Sequence, residues 1–410
     1  MAMPMQNPFK TSLLLMVLSL PIETMASEHQ TFGHAEESNI LFTSKPVLNS
    51  KASPPLPGDS SFRKLHPDDR AIKEIRLVDV KFDQVTAKTK SLSIPLPTGH
   101  TVHFDLLRTS EVGFDMLGWV GRASSTAPAG PFDWVSLVRY DNGLVGNINV
   151  DGQFYRIEPV GAGEHALLTL DPARLPPLAE PVLDHPDAVE LLQDAASAES
   201  TSSNIRVLFV TTNQSRAAHP AHRAKLALAL QDANQYMINS LVPINFELAG
   251  YYDAPYDEAD KTYSQQLADM KATEPLGKLI DPHREVHRAD LVSMLSTVSS
   301  VCGVANLNAQ KTRAFSVVSC FGALGHELGH NLGAMHKWPE EESWNVPPYA
   351  FGYRHEAPKF HTQMVTSHGA IPYFSNPRVI NEGVPVGDPL HGDTARRFNE
   401  RRTVIENFYP

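Results

Sequence analysis

Residues 325–336 run Gly325-His326-Glu327-Leu328-Gly329-His330-Asn331-Leu332-Gly333-Ala334-Met335-His336. On a helix His326 and His330 project from one face, one turn apart. Two imidazoles so placed can reach a single ion at Zn–N distances of about 2.0–2.1 Å. Glu327 lies about 100° further round the axis, which puts its carboxylate beside such an ion, ready to take a proton from attacking water. Leu324, Leu328 and Leu332 recur every four residues and predict a separate apolar stripe that buries the helix. A helix continued past Gly333 would carry His336 away from the other two histidines. Glycine in the left-handed conformation ends a helix and lets the chain turn back, so His336 becomes the third candidate ligand. Three imidazoles leave a fourth position for water, the mark of a catalytic rather than a structural zinc site.

Upstream of this run the chain alternates strand and helix patterns. Residues 205–210 (IRVLFV) form a short apolar run suited to a buried strand, and residues 220–241 carry Leu226, Leu230, Ala233 and Met237 on one helical face. Residues 243–252 and 289–296 predict two further strands, with a helical stretch between them. Such alternation predicts an α/β domain over 205–410, with a twisted, mostly parallel sheet and the histidine-bearing helix against it. Earlier, residues 63–174 hold short alternating runs at 91–96, 101–107, 134–140, 144–150 and 154–160. Asp141-Asn142-Gly143 and Asp151-Gly152 break these runs where tight hairpins need positive φ. This is the pattern of a small antiparallel all-β domain ending near Asp171. The prolines and small polar residues of 175–204 read as an exposed linker open to proteolysis. Residues 27–62 read as a lead-in without regular structure.

The first 26 residues have the layout of a signal peptide: Lys10, an apolar run over 13–20, then Thr24-Met25-Ala26. The run is too short to span a bilayer and no later one is long enough, so a secreted protein is expected, with an extracellular or periplasmic destination. Composition narrows the functional classes. Lys+Arg number 35 against 46 Asp+Glu, a net charge of −11, which disfavours nucleic acid as partner. Only 2 Cys accompany 18 His, excluding a disulfide-dense scaffold, a four-cysteine zinc site and an iron–sulfur cluster. In an oxidising destination Cys302 and Cys320 read as a pair, with two buried free thiols as the alternative. The histidines outside the motif, such as His29, His34 and His185, read as solvated side chains. No calcium site is indicated.

The motif resembles the long zinc signature of the metzincin metallopeptidases. The segments around Gly352-Tyr353-Arg354, Ile371-Pro372-Tyr373-Phe374-Ser375-Asn376-Pro377 and Asp393-Thr394-Ala395-Arg396 resemble reprolysin-like bacterial secreted enzymes, the peptidyl-Asp metalloendopeptidases among them. The likeness covers roughly residues 205–408, and the β domain resembles their N-terminal propeptide. It implies a zinc endopeptidase made as a proenzyme, with protein or peptide substrates and its own propeptide as partner in cis. It also implies that Met364 lies in a tight turn beneath the metal, and that Pro372 and Tyr373 line the pocket beside the scissile bond. A preference for acidic substrate residues would need a cation in that pocket, with Arg354, Lys359 and Arg378 as candidates.

Three departures from the family pattern bear on function. Lys337 stands where many relatives carry Asp. Thr366 stands where some carry a tyrosine ligand, so no phenolate ligand is expected. No cysteine precedes Cys302, so a cysteine-on-zinc latency switch is unavailable. Two rival readings are a secreted zinc protein that binds without cutting and a zinc hydrolase of non-peptide amides. Glu327 weighs against the first, because a non-catalytic zinc site has no use for the base.

Overall fold

In this computed structural model, residues 39–45, 70–124, 132–182, 201–338 and 346–410 are described, apart from residues 142, 162 and 382. The predicted signal peptide, most of the lead-in and residues 183–200 lie outside the described residues. Residues 39–410 form one unit, and its described residues hold two large sheets and three two-stranded ribbons.

The first sheet has nine strands: β1 (Phe42–Ser44), β2 (Ile72–Val80), β3 (Ser91–Pro95), β4 (Thr101–Glu111), β5 (Leu117–Ala123), β6 (Trp134–Tyr140), β7 (Gly143–Val150), β8 (Gln153–Gly161) and β9 (Glu164–Leu170). Their order is β1-β2-β9-β8-β7-β6-β5-β4-β3, with antiparallel neighbours throughout. At the β7–β8 hairpin Asp151 and Gly152 have φ of 51° and 72°, the left-handed pair that a two-residue turn requires. Leu41 N–H donates to Ser93 O at 2.9 Å and Ser93 N–H to Asn39 O at 2.9 Å. These bonds join the two outer strands, so the sheet closes into a barrel and leaves little free edge. Alternate side chains, including Leu92, Ile94, Phe104, Trp119, Leu137, Ile148 and Ile157, fill the interior. The indole N–H of Trp119 donates to Thr89 O at 3.0 Å, so the largest interior residue leaves no polar atom unpaired. Strand β1 falls inside the stretch read from sequence as lead-in, and three residues are too few to show a period of two.

The second sheet comprises β10 (Ser203–Thr211), β11 (Ile244–Asp253), β12 (Leu291–Leu295), β13 (Gly303–Ala305) and β14 (Phe315–Val318), in the order β11-β10-β12-β14-β13. Strands β11, β10, β12 and β14 pair in parallel, and β13 is an antiparallel edge. The continuous apolar run of β10 is explained by burial on both faces. Ile205, Val207 and Phe209 face α2 (His222–Asn239), α5 (Leu324–Asn331) and α6 (Thr394–Glu406), while Leu208 and Val210 face α3 (Tyr263–Asp269) and α4 (Pro275–His287). A short α1 (Asn213–Ala218) precedes α2 and is held by a Thr212–Ser215 capping box. Among the described residues no helix is long and apolar enough to cross a membrane.

Cys302 and Cys320 form a disulfide that ties β13 to the turn leading into α5. Two histidines depart from the solvated reading. His165 is buried in the barrel and accepts the Leu144 N–H at 3.1 Å, and His219 is buried with its ring edge-on to Phe321.

Candidate active site

Helix α5 enters from a 3-10 turn at Phe321–Ala323, and Leu324, Leu328 and Leu332 are fully buried in the core beneath the sheet. The helix ends as its glycine foretells. Gly333 has φ +89°, its N–H donates to His330 O at 2.8 Å, and Ala334 N–H donates to Gly329 O at 3.0 Å. That paired bonding is a Schellman cap. It reverses the chain into the short strand Met335–Lys337, which returns His336 to the helix face.

His326, His330 and His336 thus converge. Their Nε2 atoms lie 3.0 Å (His326–His330), 3.1 Å (His330–His336) and 3.2 Å (His326–His336) apart. Each Nδ1 faces an acceptor: Gln363 O at 2.7 Å, Ala334 O at 2.8 Å and Glu180 Oε1 at 3.1 Å respectively. Carbonyls and carboxylates only accept, so each Nδ1 carries the proton and each Nε2 presents a bare lone pair. Burial, and after it the neighbouring imidazole charge, pushes His326 down to about 3; His330 is pushed well below its usual value for the same reasons. Three lone pairs facing one another repel unless a cation sits among them. A tetrahedral ion bonded at 2.0–2.1 Å needs ligand atoms about 3.3 Å apart, close to the spacing found. The donor set fits a zinc ion.

Glu327 is fully buried beside this triangle, and neither carboxylate oxygen has a hydrogen-bond partner among the described residues. Burial raises its pKa well above the usual carboxylate range. Gly303 makes the room: a Cβ there would stand 2.7 Å from Glu327 Oε1. An orphaned carboxylate is costly to bury and is the state expected of a base awaiting its proton. Below the helix, Met364 is fully buried with its sulfur against Gly329, where an added Cβ would come within 2.4 Å of it. The turn Thr362-Gln363-Met364-Val365, closed by Val365 N–H to Thr362 O at 3.1 Å, also supplies the carbonyl that orients His326.

Residues 223–337, from α2 to just past the third histidine, match the profile of metallo-peptidase family M12B, reprolysin-like. A peptidyl-Asp metalloendopeptidase of Xanthomonas campestris is 30% identical over 311 residues, covering 70% of this chain and 72% of the relative. The chain belongs to the reprolysin-like metallopeptidases. A peptidyl-Asp metalloendopeptidase of Stenotrophomonas maltophilia is 29% identical over 360 residues, 82% of each chain. Among solved structures, metalloproteinase-II from Bacteroides fragilis aligns over 69% of this chain and 86% of its own, at a TM-score of 0.42 and 8% identity, too distant to bear on the assignment.

As a member of this family the chain is a metalloendopeptidase, and membership implies a zinc cofactor. The three cations considered for an acidic-substrate pocket do not line the cavity beside His326. Arg378 is bound to Asp393 through two contacts, Arg354 donates to Ser367 Oγ at 2.7 Å, and Lys359 stands on the ribbon strand Lys359–His361. Sequence reading also passed over Glu180, on the stretch read as linker, and Lys225, on α2. Both approach the site only through long-range folding, and neither sits in a local pattern that marks it.

Proposed function

We propose that this metallopeptidase is a secreted proenzyme in which His326, His330 and His336 hold the zinc and Glu327 is the general base. The observation that carries the reading is the Nε2 triangle with every Nδ1 capped, next to a buried carboxylate that has no hydrogen-bond partner among the described residues. Zinc, when bound, acidifies the attacking water and polarises the scissile carbonyl. Glu327 takes the water proton on a carboxylate oxygen as the new C–O bond forms. It then delivers that proton to the amine nitrogen as the C–N bond breaks. The low polarity that raises the Glu327 pKa favours this pick-up.

The proenzyme reading divides the chain into a signal peptide (1–26), a lead-in (27–62) that also supplies the barrel strand β1, a propeptide domain (63–174) that makes the rest of the barrel, a linker (175–204) and the peptidase (205–410). Its support lies in the segment after the barrel. Pro177 O accepts from Cys302 N–H at 2.8 Å, Val182 N–H donates to Ala305 O at 2.8 Å, and Leu307 N–H donates to Val182 O at 3.0 Å. The segment therefore occupies the free edge of β13, which an extended peptide would otherwise join by strand addition. Leu175 and Leu178 pack on Cys302, Cys320 and Ala323. Glu180 reaches His336, and this hydrogen bond is the main cause of its lowered pKa. Cleavage within 183–200 would leave this strap held by weak contacts alone. By analogy with the relatives' names, acidic residues are the expected substrate preference. Incubation with a mixed peptide library, with and without a zinc chelator, tests the reading. Chelator-sensitive cuts are expected, and cutting that persists after complete metal removal would refute it.

A further inference from the structure

The barrel and the peptidase domain enclose a cavity beside His326, and on the peptidase side Leu228, Tyr236, Phe321 and Ala323 line it together with the polar Asp232 and His368. Lys225 enters it from the first turns of α2, with its ammonium 5.6 Å from the centre of the Phe321 ring. Phe321 begins the turn that leads into α5, so this ammonium stands near the entry of the histidine-bearing helix. Its counter-charge is Glu158 of β8, paired with it in a contact that leaves 13% of the lysine side chain and 8% of the glutamate side chain exposed. Among the described residues two Lys or Arg side chains line the cavity, Lys225 and Arg156. Arg156 belongs to the barrel and leaves with it.

We propose that Lys225 is the specificity-determining cation of this peptidase, that it binds an acidic side chain of the substrate, and that Glu158 occupies its place while the barrel is docked. The inference rests on the peptidase and proenzyme readings above. With the barrel gone, Lys225 stands in an open cleft without Glu158, and Asp232 is the other carboxylate of that cleft, on its peptidase side. A substrate carboxylate restores the pair; a neutral amide of the same shape does not. One carboxylate thus hands over to another, and the device that fills the cleft copies the chemistry of what the cleft takes. This also explains why no cation was found among Arg354, Lys359 and Arg378: the cation is on α2, about a hundred residues upstream of the metal motif.

The test uses the full chain, matured by its own processing, and two peptides identical except for Asp or Asn at one position. The double variant Lys225→Met/Glu158→Met replaces the buried pair by apolar side chains of similar volume, a change that buried ion pairs tolerate. It therefore folds and matures where Lys225→Met alone would strand Glu158, and after maturation it differs from wild type only at Lys225. The wild type is expected to favour the Asp peptide, and the ratio of the two kcat/KM values should fall about tenfold or more in the double variant. Lys225→Glu/Glu158→Lys, with the pair reversed, should shift preference to a Lys peptide. An Asp-to-Asn ratio that stays at the wild-type value in the double variant overturns the proposal. A wild type that binds zinc yet cuts neither peptide instead defeats the peptidase reading beneath it, so the two failures are told apart.

Discussion

Replacing Gly333 by alanine should unlock the turn that returns His336 to the site. Two costs add. The residue sits at φ +89°, a left-handed conformation that charges an L side chain about 1–2 kcal/mol. The new Cβ would also stand 2.7 Å from Arg397 Nε and 2.9 Å from Asn308 Oδ1. These two side chains are buried and joined by an Arg397 Nη2–Asn308 Oδ1 hydrogen bond of 2.8 Å, so neither can swing into solvent. Losing a charged hydrogen bond of this kind costs about 1.5–3 kcal/mol, giving a total of ~2.5–5 kcal/mol. Gly383→Ala is the control, with φ +80° and no heavy atom within 4 Å of its Cβ. It carries the conformational cost alone, and the gain from a stiffer unfolded chain is the same in both variants. At about 2–4 °C per kcal/mol for a domain of this size, Gly333→Ala should melt several degrees below Gly383→Ala. It should also lose zinc on dialysis, because Asn308 N–H donates to His330 O at 2.9 Å and passes the shift to the helix end. Thermal unfolding with metal analysis checks both effects. Equal melting temperatures with full zinc retention would show that the Gly333 turn does not position the third histidine.

Other outcomes follow from the same packing. Asp232, at the α2–barrel contact with Asn147, is pushed up to about 6, mainly by burial and against the pull of Ser136, Asn147, Arg108 and Arg156. A carboxyl raised this way favours docking below its ordinary value near 4, and that contribution fades as pH rises through about 6. Protection factors along α2, with the intrinsic pH dependence of exchange divided out, should therefore fall between pH 4 and 7 in the wild type and stay level in Asp232→Asn. Replacing both Cys302 and Cys320 by serine opens an 18-residue loop and should lower stability by ~3 kcal/mol on the chain-entropy model, read by urea unfolding. Val182→Pro removes the N–H that bonds Ala305 O and should raise the activity of the uncleaved chain several-fold, at ~1 kcal/mol per hydrogen bond. Unchanged leak activity would mean the strap does not restrain the cleft.

The convergence of the three histidines was legible because its logic is local. Helix spacing sets His326 against His330, a four-residue leucine stripe buries the opposite face, and one glycine marks the turn. The β10 run was legible because a strand buried on both faces is apolar without interruption. The barrel's closure was not, since it depends on residues 39–41 meeting Ser93 across about fifty residues. The strap was hidden for a related reason: proline-rich sequence reads as linker whether or not it lies along a sheet edge. Charge pairing was the least legible. Lys225 looks like any helix-surface lysine until folding brings Glu158 of another domain against it, and Arg378 looks like a free cation until Asp393 caps α6 beside it.

The central claim is that Glu327 works as a base beside a zinc held by His326, His330 and His336. Glu327→Gln, assayed for zinc content and casein hydrolysis on the same preparation, tests it most directly. The account predicts one zinc per chain with hydrolysis reduced to background, whereas a variant that cuts casein at the wild-type rate would contradict it.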